Sequence, residues 1–276
     1  MSTVIEIPET FKEQIMKILK VLRNAAFTVP LTFLLIPCQA QSVHTLQDSS
    51  GIGQKNILKL NVPALFIKNF SLQYERAISE KNALALGIRY MPESGLPIKS
   101  TIKALIDNTD TWRNARNLRT SNFSITPEYR FYLGKRVFQG FYLAPFAKYT
   151  HYTAELPFQF DVKHPVTGET INEMIPLQGS VNTYTAGLLI GAQWKLSRVL
   201  SLDWWILGPN YGASKGQVTG NRILNEYEQQ YLRDKLERLK VPLTKKKYIV
   251  DENGTRIDFN GGWAGVRAGL SLGIRF

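Results

Sequence analysis

The C-terminal stretch WAGVRAGLSLGIRF, residues 263–276, alternates without interruption. Ala264, Val266, Ala268, Leu270, Leu272, Ile274 and Phe276 fall on one side, and Gly265, Arg267, Gly269, Ser271, Gly273 and Arg275 on the other. Successive side chains of a strand point to opposite faces of a sheet, so a period of two makes this a β-strand. One face is wholly apolar and the other is small or charged.

The same split recurs toward the N-terminus. Leu58, Leu60, Val62 and Ala64 oppose Lys59 and Asn61; Phe70, Leu72, Tyr74 and Ile78 oppose Ser71, Gln73, Glu75 and Ala77. Leu84, Leu86, Ile88 and Tyr90 oppose Ala85, Gly87 and Arg89, and Phe123, Ile125, Tyr129, Phe131 and Leu133 oppose Ser124, Thr126, Glu128 and Arg130. The segment Phe141 to Tyr152 is less regular, because Tyr142 and Phe146 fall on the charged side. Leu188, Ile190, Ala192, Trp194 and Leu196 oppose Gly187, Gly191, Gln193 and Lys195; Leu200, Leu202, Trp204 and Ile206 oppose Ser201, Asp203 and Trp205. With the last segment this makes eight strands of about ten residues, the length a tilted membrane strand needs. The pattern predicts an all-β fold, an eight-stranded antiparallel transmembrane β-barrel over residues 55–276, with long extracellular loops that contain short helix and hairpin segments.

The charges decide which face is inside. Lys59, Glu75, Arg89, Glu128, Arg130, Lys195, Asp203, Arg267 and Arg275 share the polar face with glycines. Closing eight strands puts that face in a narrow lumen where opposite charges pair, and turns the apolar face to lipid. Eight strands leave room only for side chains, so a packed polar network is expected there rather than a water-filled pore. A soluble β-sandwich also alternates, but it has no need of charge at so many second positions.

The connections differ in length by parity. Those at 67–69, 79–82, 135–139 and 197–199 are short, and those at 92–122, 157–183 and 209–262 are long. All three long ones follow odd-numbered strands, which is the asymmetry of short periplasmic turns and long external loops. This places the long loops outside the cell and Phe276 at the periplasmic rim. Within the loops, Thr101 to Arg119 and Arg222 to Lys240 read as helices, the latter with Asp234/Arg238 and Arg233/Glu237 at i,i+4 spacing. Lys247 to Phe259 reads as a hairpin around Asn253-Gly254.

The start of the chain reads as a separate element. From Met16, a basic stretch with Lys17, Lys20 and Arg23 precedes an apolar run from Ala25 to Ile36, then small and polar residues. This is the pattern of a secretory signal peptide over residues 1–40, with 1–15 as an over-extended start and 41–54 as a tail. Cleavage after Ala40 removes the sole cysteine, Cys38, and with it disulfide and thiol chemistry. The rival reading makes Cys38 a lipidated first residue, for which Pro37 is a poor neighbour. Residues 1–40 carry four basic and three acidic side chains, so the net charge falls from +12 to +11 on cleavage.

A basic chain raises nucleic acid and anionic membrane surfaces as partners. The basic residues are dispersed, with no run longer than Lys245-Lys246-Lys247, no zinc-finger spacing and no aromatic RNA-binding box, so nucleic acid is not expected. Basic loops beside an outer leaflet suit contact with lipopolysaccharide phosphates, although mixed-sign loops are usually just solvated. His44, His151 and His164 have no paired spacing, so neither a metal nor another cofactor is expected. His151 beside Thr150 or Thr153 is the nearest approach to a base and nucleophile for an outer-leaflet lipid enzyme. Gly261-Gly262-Trp263-Ala264-Gly265 lacks the strand–turn–helix setting of a phosphate loop.

Four stretches carry a resemblance: KNILKLNVPALF at 55–66, PEYRFYLG at 127–134, LSLDWWILGPNYGAS at 200–214 and the terminal AGLSLGIRF. Together they resemble a family of uncharacterised bacterial outer-membrane β-barrel proteins that bears only the label of a domain of unknown function, over roughly residues 54–276. The resemblance implies a small barrel of the OmpA/OmpX type. It also implies that Phe276 belongs to the signal read by the barrel-assembly machinery. It supplies no catalytic residue. The expectation is a non-enzymatic outer-membrane barrel, structural or binding through its external loops, with a small-solute channel and an outer-leaflet lipid enzyme as the alternatives.

Overall fold

The computed structural model describes residues 54–95, 109–163, 170–224 and 244–276, with Lys103, Glu226, Gln229, Gln230 and Arg233 between them. Residues 1–40, read above as a signal peptide and containing Cys38, His44 of the expected tail, and His164 lie outside the described residues.

Nine strands and two short helices follow in chain order: β1 (Asn56–Asn61), α1 (Val62–Leu65), β2 (Phe70–Ala77), β3 (Asn82–Gly95), α2 (Thr109–Ala115), β4 (Arg119–Tyr132), β5 (Gly140–Lys163), β6 (Thr170–Lys195), β7 (Leu200–Asn221), β8 (Thr244–Asp251) and β9 (Gly254–Arg275). All pairings are antiparallel neighbours from β1 to β7; β9 then pairs with β7 on one edge and with β1 on the other. That last pairing closes a ring of eight strands. β8 stands outside the ring as the hairpin partner of β9, as the sequence predicts, but the turn is Glu252-Asn253, with Asp251 opposite Gly254.

The ring has two unlike ends. At one, the turns 78–81, 133–139 and 196–199 are short, and Asn56 and Phe276 exchange backbone hydrogen bonds of 3.0 and 2.9 Å. At the other, the strands run on unequally. β2 has eight residues, whereas β5, β6, β7 and β9 have 24, 26, 22 and 22. The first is the turn end and the second the wall end. Much of what reads as long loop at 157–183 and 209–262 is therefore strand, a one-sided wall of β5, β6, β7, β9 and β8. The sequence hides this because the outward face changes from apolar to polar above the ring, which removes the contrast on which alternation is read.

Four further expectations are revised. The first strand stops at Asn61: Val62 and Ala64 belong to α1, where Asn61 Oδ1 accepts from the Ala64 N–H at 3.1 Å and Pro63 sits in the first turn. Of the helix expected over 101–119, Lys103 and α2 are helical, Arg116 to Leu118 leave the helix, Arg119 already begins β4, and the rest lies outside the described residues. In the stretch 222–240, Arg222 to Leu224 are not helical, Glu226, Gln229, Gln230 and Arg233 are, and the rest lies outside the described residues. Ile206 is not an outward strand position. The register between β7 and β9 shifts between Trp205 and Gly208, so Ile206 is the extra residue of a bulge, and Leu207 takes the outward place.

Outside, Leu58, Leu72, Leu84, Leu86, Ile88, Phe131, Leu188, Ile190, Leu200, Leu270, Leu272 and Ile274 are all exposed, forming a continuous apolar belt around the ring. Phe70, Tyr90, Phe123, Tyr184 and Tyr211 border it toward the wall end. Inside, an apolar cluster of Ile57, Ala83, Tyr132, Phe138, Tyr142, Ala144, Phe146, Leu189 and Trp205 starts at the turn end and runs up beside the charged positions, with Phe146 in register with Glu128. Phe138 comes from the turn 133–139 rather than from a strand. Its φ of 67° is unusual for a non-glycine residue, and it leaves the ring 1% exposed, plugging the lumen from below.

Candidate functional site

Above the plug, six charged side chains meet in the lumen. Lys59 on β1 donates to Asp203 Oδ2 of β7 at 2.6 Å and to Gln193 Oε1 of β6 at 2.9 Å, and is ion-paired with Glu75 of β2. Arg130 on β4 uses all five guanidinium hydrogens. Nη1 reaches Asp203 Oδ2 at 2.7 Å and Glu75 Oε2 at 3.3 Å, Nη2 reaches Gln73 Oε1 at 2.8 Å and Glu128 Oε2 at 3.1 Å, and Nε reaches Glu128 Oε2 at 3.2 Å. Asp203 also accepts from the Tyr142 hydroxyl at 2.7 Å and from Trp205 Nε1 at 3.0 Å. Tyr132 donates to Glu75 Oε1 at 2.6 Å, and Gln73 Nε2 to Glu128 Oε1 at 2.7 Å. Arg267 on β9 completes the set, paired with Glu128 at 2.5 Å and laid over the Trp205 ring at 4.2 Å.

Three cations and three carboxylates cancel, and none is exposed to solvent beyond Arg267 at 9%. Taking ions out of water costs several kcal/mol each unless partners replace the lost hydration. Here they do, through bonds that span the lumen between strands distant in the ring. The arrangement therefore fixes which strands face each other. Solvent does not reach Lys59, Glu75, Arg130, Gln193 or Asp203, each 0–1% exposed.

Of the nine residues expected in a lumen network, the structure brings together Lys59, Glu75, Glu128, Arg130, Asp203 and Arg267. Lys195 and Arg275 lie lower, at the turn end, where Arg275 is over the Phe138 ring at 5.8 Å. Arg89 lies higher, toward the wall end, in register with Ser124. The sequence puts Gln73, Gln193, Tyr142 and Trp205 on the charged face without marking them as network members, and it leaves Tyr132 unmarked. All stand at the parity of the charged positions, so the signal was there. Tyr142 and Phe146, which look irregular on the charged side, belong there: Tyr142 binds Asp203 and lies under Arg130 at 4.5 Å, and Phe146 lies near Arg267 at 5.3 Å. Glycines of β6 make the room. A Cβ on Gly191 would stand 2.3 Å from the Tyr142 ring.

His151 faces away from the lumen and binds Asn182 Oδ1 through Nδ1 at 2.8 Å. Thr150 is on the opposite face, and the Thr153 hydroxyl is engaged with Ser121 at 2.6 Å. Among the described residues no three His, Cys, Asp or Glu side chains are grouped as a metal site.

Fold and site thus define a closed antiparallel β-barrel with a charge-balanced, buried polar network packed across its lumen. The chain belongs to the family described as a protein of unknown function, DUF3575, whose model matches residues 33–216. Among solved structures, the N-terminal β-barrel domain of Pseudomonas aeruginosa OprF is similar at 10% identity and a TM-score of 0.26, over 82% of this chain and all of that one. No curated protein matches the chain.

Proposed function

We propose that this chain is an integral outer-membrane barrel, closed to solutes and non-enzymatic, that acts through the wall and connections standing beyond its belt. One observation carries this reading: the polar groups are sealed inside while large aliphatic side chains are exposed all round the outside. In water that surface would be strongly unfavourable; in lipid it is the stable arrangement. The turn end then faces the periplasm and the wall end the exterior, where basic connections can meet lipopolysaccharide phosphates. The exposure of Phe276, 57% beside the closing β1–β9 pair, supports reading it as part of an assembly signal. The absence of catalysis is supported by His151, which is held by an amide rather than by a hydroxyl.

Two measurements test the proposal. The protein should fractionate with the outer membrane and migrate faster on gels before heating than after it. In planar bilayers the purified barrel should show no steady conductance. A soluble periplasmic protein would overturn the membrane reading, and steady conductance would replace the closed barrel with a channel.

A further inference from the structure

Above the sealed network the lumen changes character. Arg89 on β3 is in register with Ser124 on β4, Ser124 with Thr150 on β5, and Thr150 with Thr183 on β6. Lys148, two residues from Thr150 on the same inward face, is in register with Thr185. Ser124, Thr150 and Thr183 form a row of inward hydroxyls across β4, β5 and β6, at 1–2% exposure. Below it, Arg267 is committed to Glu128 and Trp205. Above it, the Tyr152 ring of β5 meets the Trp263 ring of β9 across the lumen at 5.6 Å.

Two features of this chamber are unsatisfied. Arg89 and Lys148 make no ion pair or hydrogen bond with any described residue, and their electrostatic neighbours include Arg267 but no carboxylate. The Thr150 hydroxyl oxygen is buried and has no hydrogen-bond partner. Glu128, the nearest network carboxylate, is already shared by Arg267, Arg130 and Gln73. Half-buried like charges side by side are costly unless something of opposite sign joins them. Solvent reaches Arg89 and Lys148 but not the network beneath, so access is from the wall end.

We propose that this chamber binds a small oxyanion of the phosphate class, held between Arg89 and Lys148 with the Thr150 hydroxyl as donor. Guanidinium and ammonium groups both pair with phosphoryl oxygens, and a hydroxyl supplies the third bond. The ligand could be the free ion or a phosphoryl group on a larger molecule. The site lies in the lumen whether or not the belt outside meets lipid, so it stands or falls apart from the membrane reading.

Isothermal titration calorimetry on the refolded full chain in zwitterionic detergent tests this, with inorganic phosphate, glycerol phosphate and chloride compared at constant ionic strength. Saturable binding of phosphate but not chloride is expected. Binding of phosphate alone assigns the free ion, and binding of glycerol phosphate as well assigns a carried phosphoryl group. The double variant Arg89→Met/Lys148→Met should bind at least tenfold more weakly. It should keep its heat-modifiable migration and, freed of the repulsion, unfold at a higher temperature in phosphate-free buffer. Thr150→Val should weaken binding severalfold. Phosphate behaving like chloride, or binding unchanged in the folded double variant, would overturn the proposal.

Discussion

Lys59 on β1 reaches across the lumen to Asp203 on β7, Nζ to Oδ2 at 2.6 Å. The two strands are not neighbours, since β9 lies between them in the ring. The contact therefore reports closure. Asp203 also holds Arg130, Tyr142 and Trp205, so Asp203→Ala leaves two buried cations short of an anion. Breaking a buried pair from one side costs about 3–5 kcal/mol. Urea unfolding of the refolded barrel should show a loss of that order for Asp203→Ala. Asp203→Asn, which keeps a carbonyl acceptor, should lose less.

Phe138 presents a different balance. Its ring packs edge-on to Tyr132 at 6.1 Å and closes the turn end, but its φ of 67° is unfavourable for a side chain. Phe138→Ala keeps the backbone penalty and removes the ring, a loss of about 3–5 kcal/mol for a buried phenylalanine. Phe138→Gly removes both, so it should be the less destabilised of the two by about 1 kcal/mol. Thermal or urea midpoints in detergent decide the order, and a glycine variant weaker than alanine would show that the strain is not real.

Gly191 and Tyr142 should behave as one unit. A side chain at 191 collides with the Tyr142 ring, so Gly191→Val is expected to prevent folding. Removing the ring should make room again: Gly191→Val/Tyr142→Ala should recover the compact, heat-modifiable form. Failure of the double variant would mean that the backbone of β7, whose Trp204 carbonyl stands 2.8 Å from the same Cβ position, is the real obstacle.

The ring was legible in the sequence because its two faces meet opposite surroundings. Leu84, Leu86 and Ile88 are exposed while Ala83 and Ala85 are buried, and the apolar–small contrast records that division. Alternation fails where the division fails. In the wall, Gln178 and Gln217 face outward from strands whose two sides are both part-polar, and the stretch reads as loop. At Ile206 a bulge shifts the phase without changing composition, so Trp205 inside and Leu207 outside cannot be told apart by type. The charged half of the lumen network was readable residue by residue, because charge on a strand face needs a partner. Its aromatic half was not: tyrosine and tryptophan are at home on either face, and only parity assigns them.

The belt itself can be tested one residue at a time. Leu86 is 45% exposed on β3, in register with Tyr74 and Pro127, well inside the apolar band. Gln217 is exposed on the outward side of β7 in the wall, beyond the tyrosine border. Arginine at an exposed site of a soluble protein changes stability by about 0.5 kcal/mol or less. On a lipid-facing strand near mid-bilayer it costs about 2–4 kcal/mol, falling to about 0–1 near the interface. Leu86→Arg should therefore destabilise the barrel by about 2 kcal/mol or more in phospholipid vesicles, while Gln217→Arg should be nearly neutral. Guanidinium unfolding followed by tryptophan fluorescence gives both values. Equal, small effects at the two positions would mean that the apolar face does not meet lipid and is covered by something else.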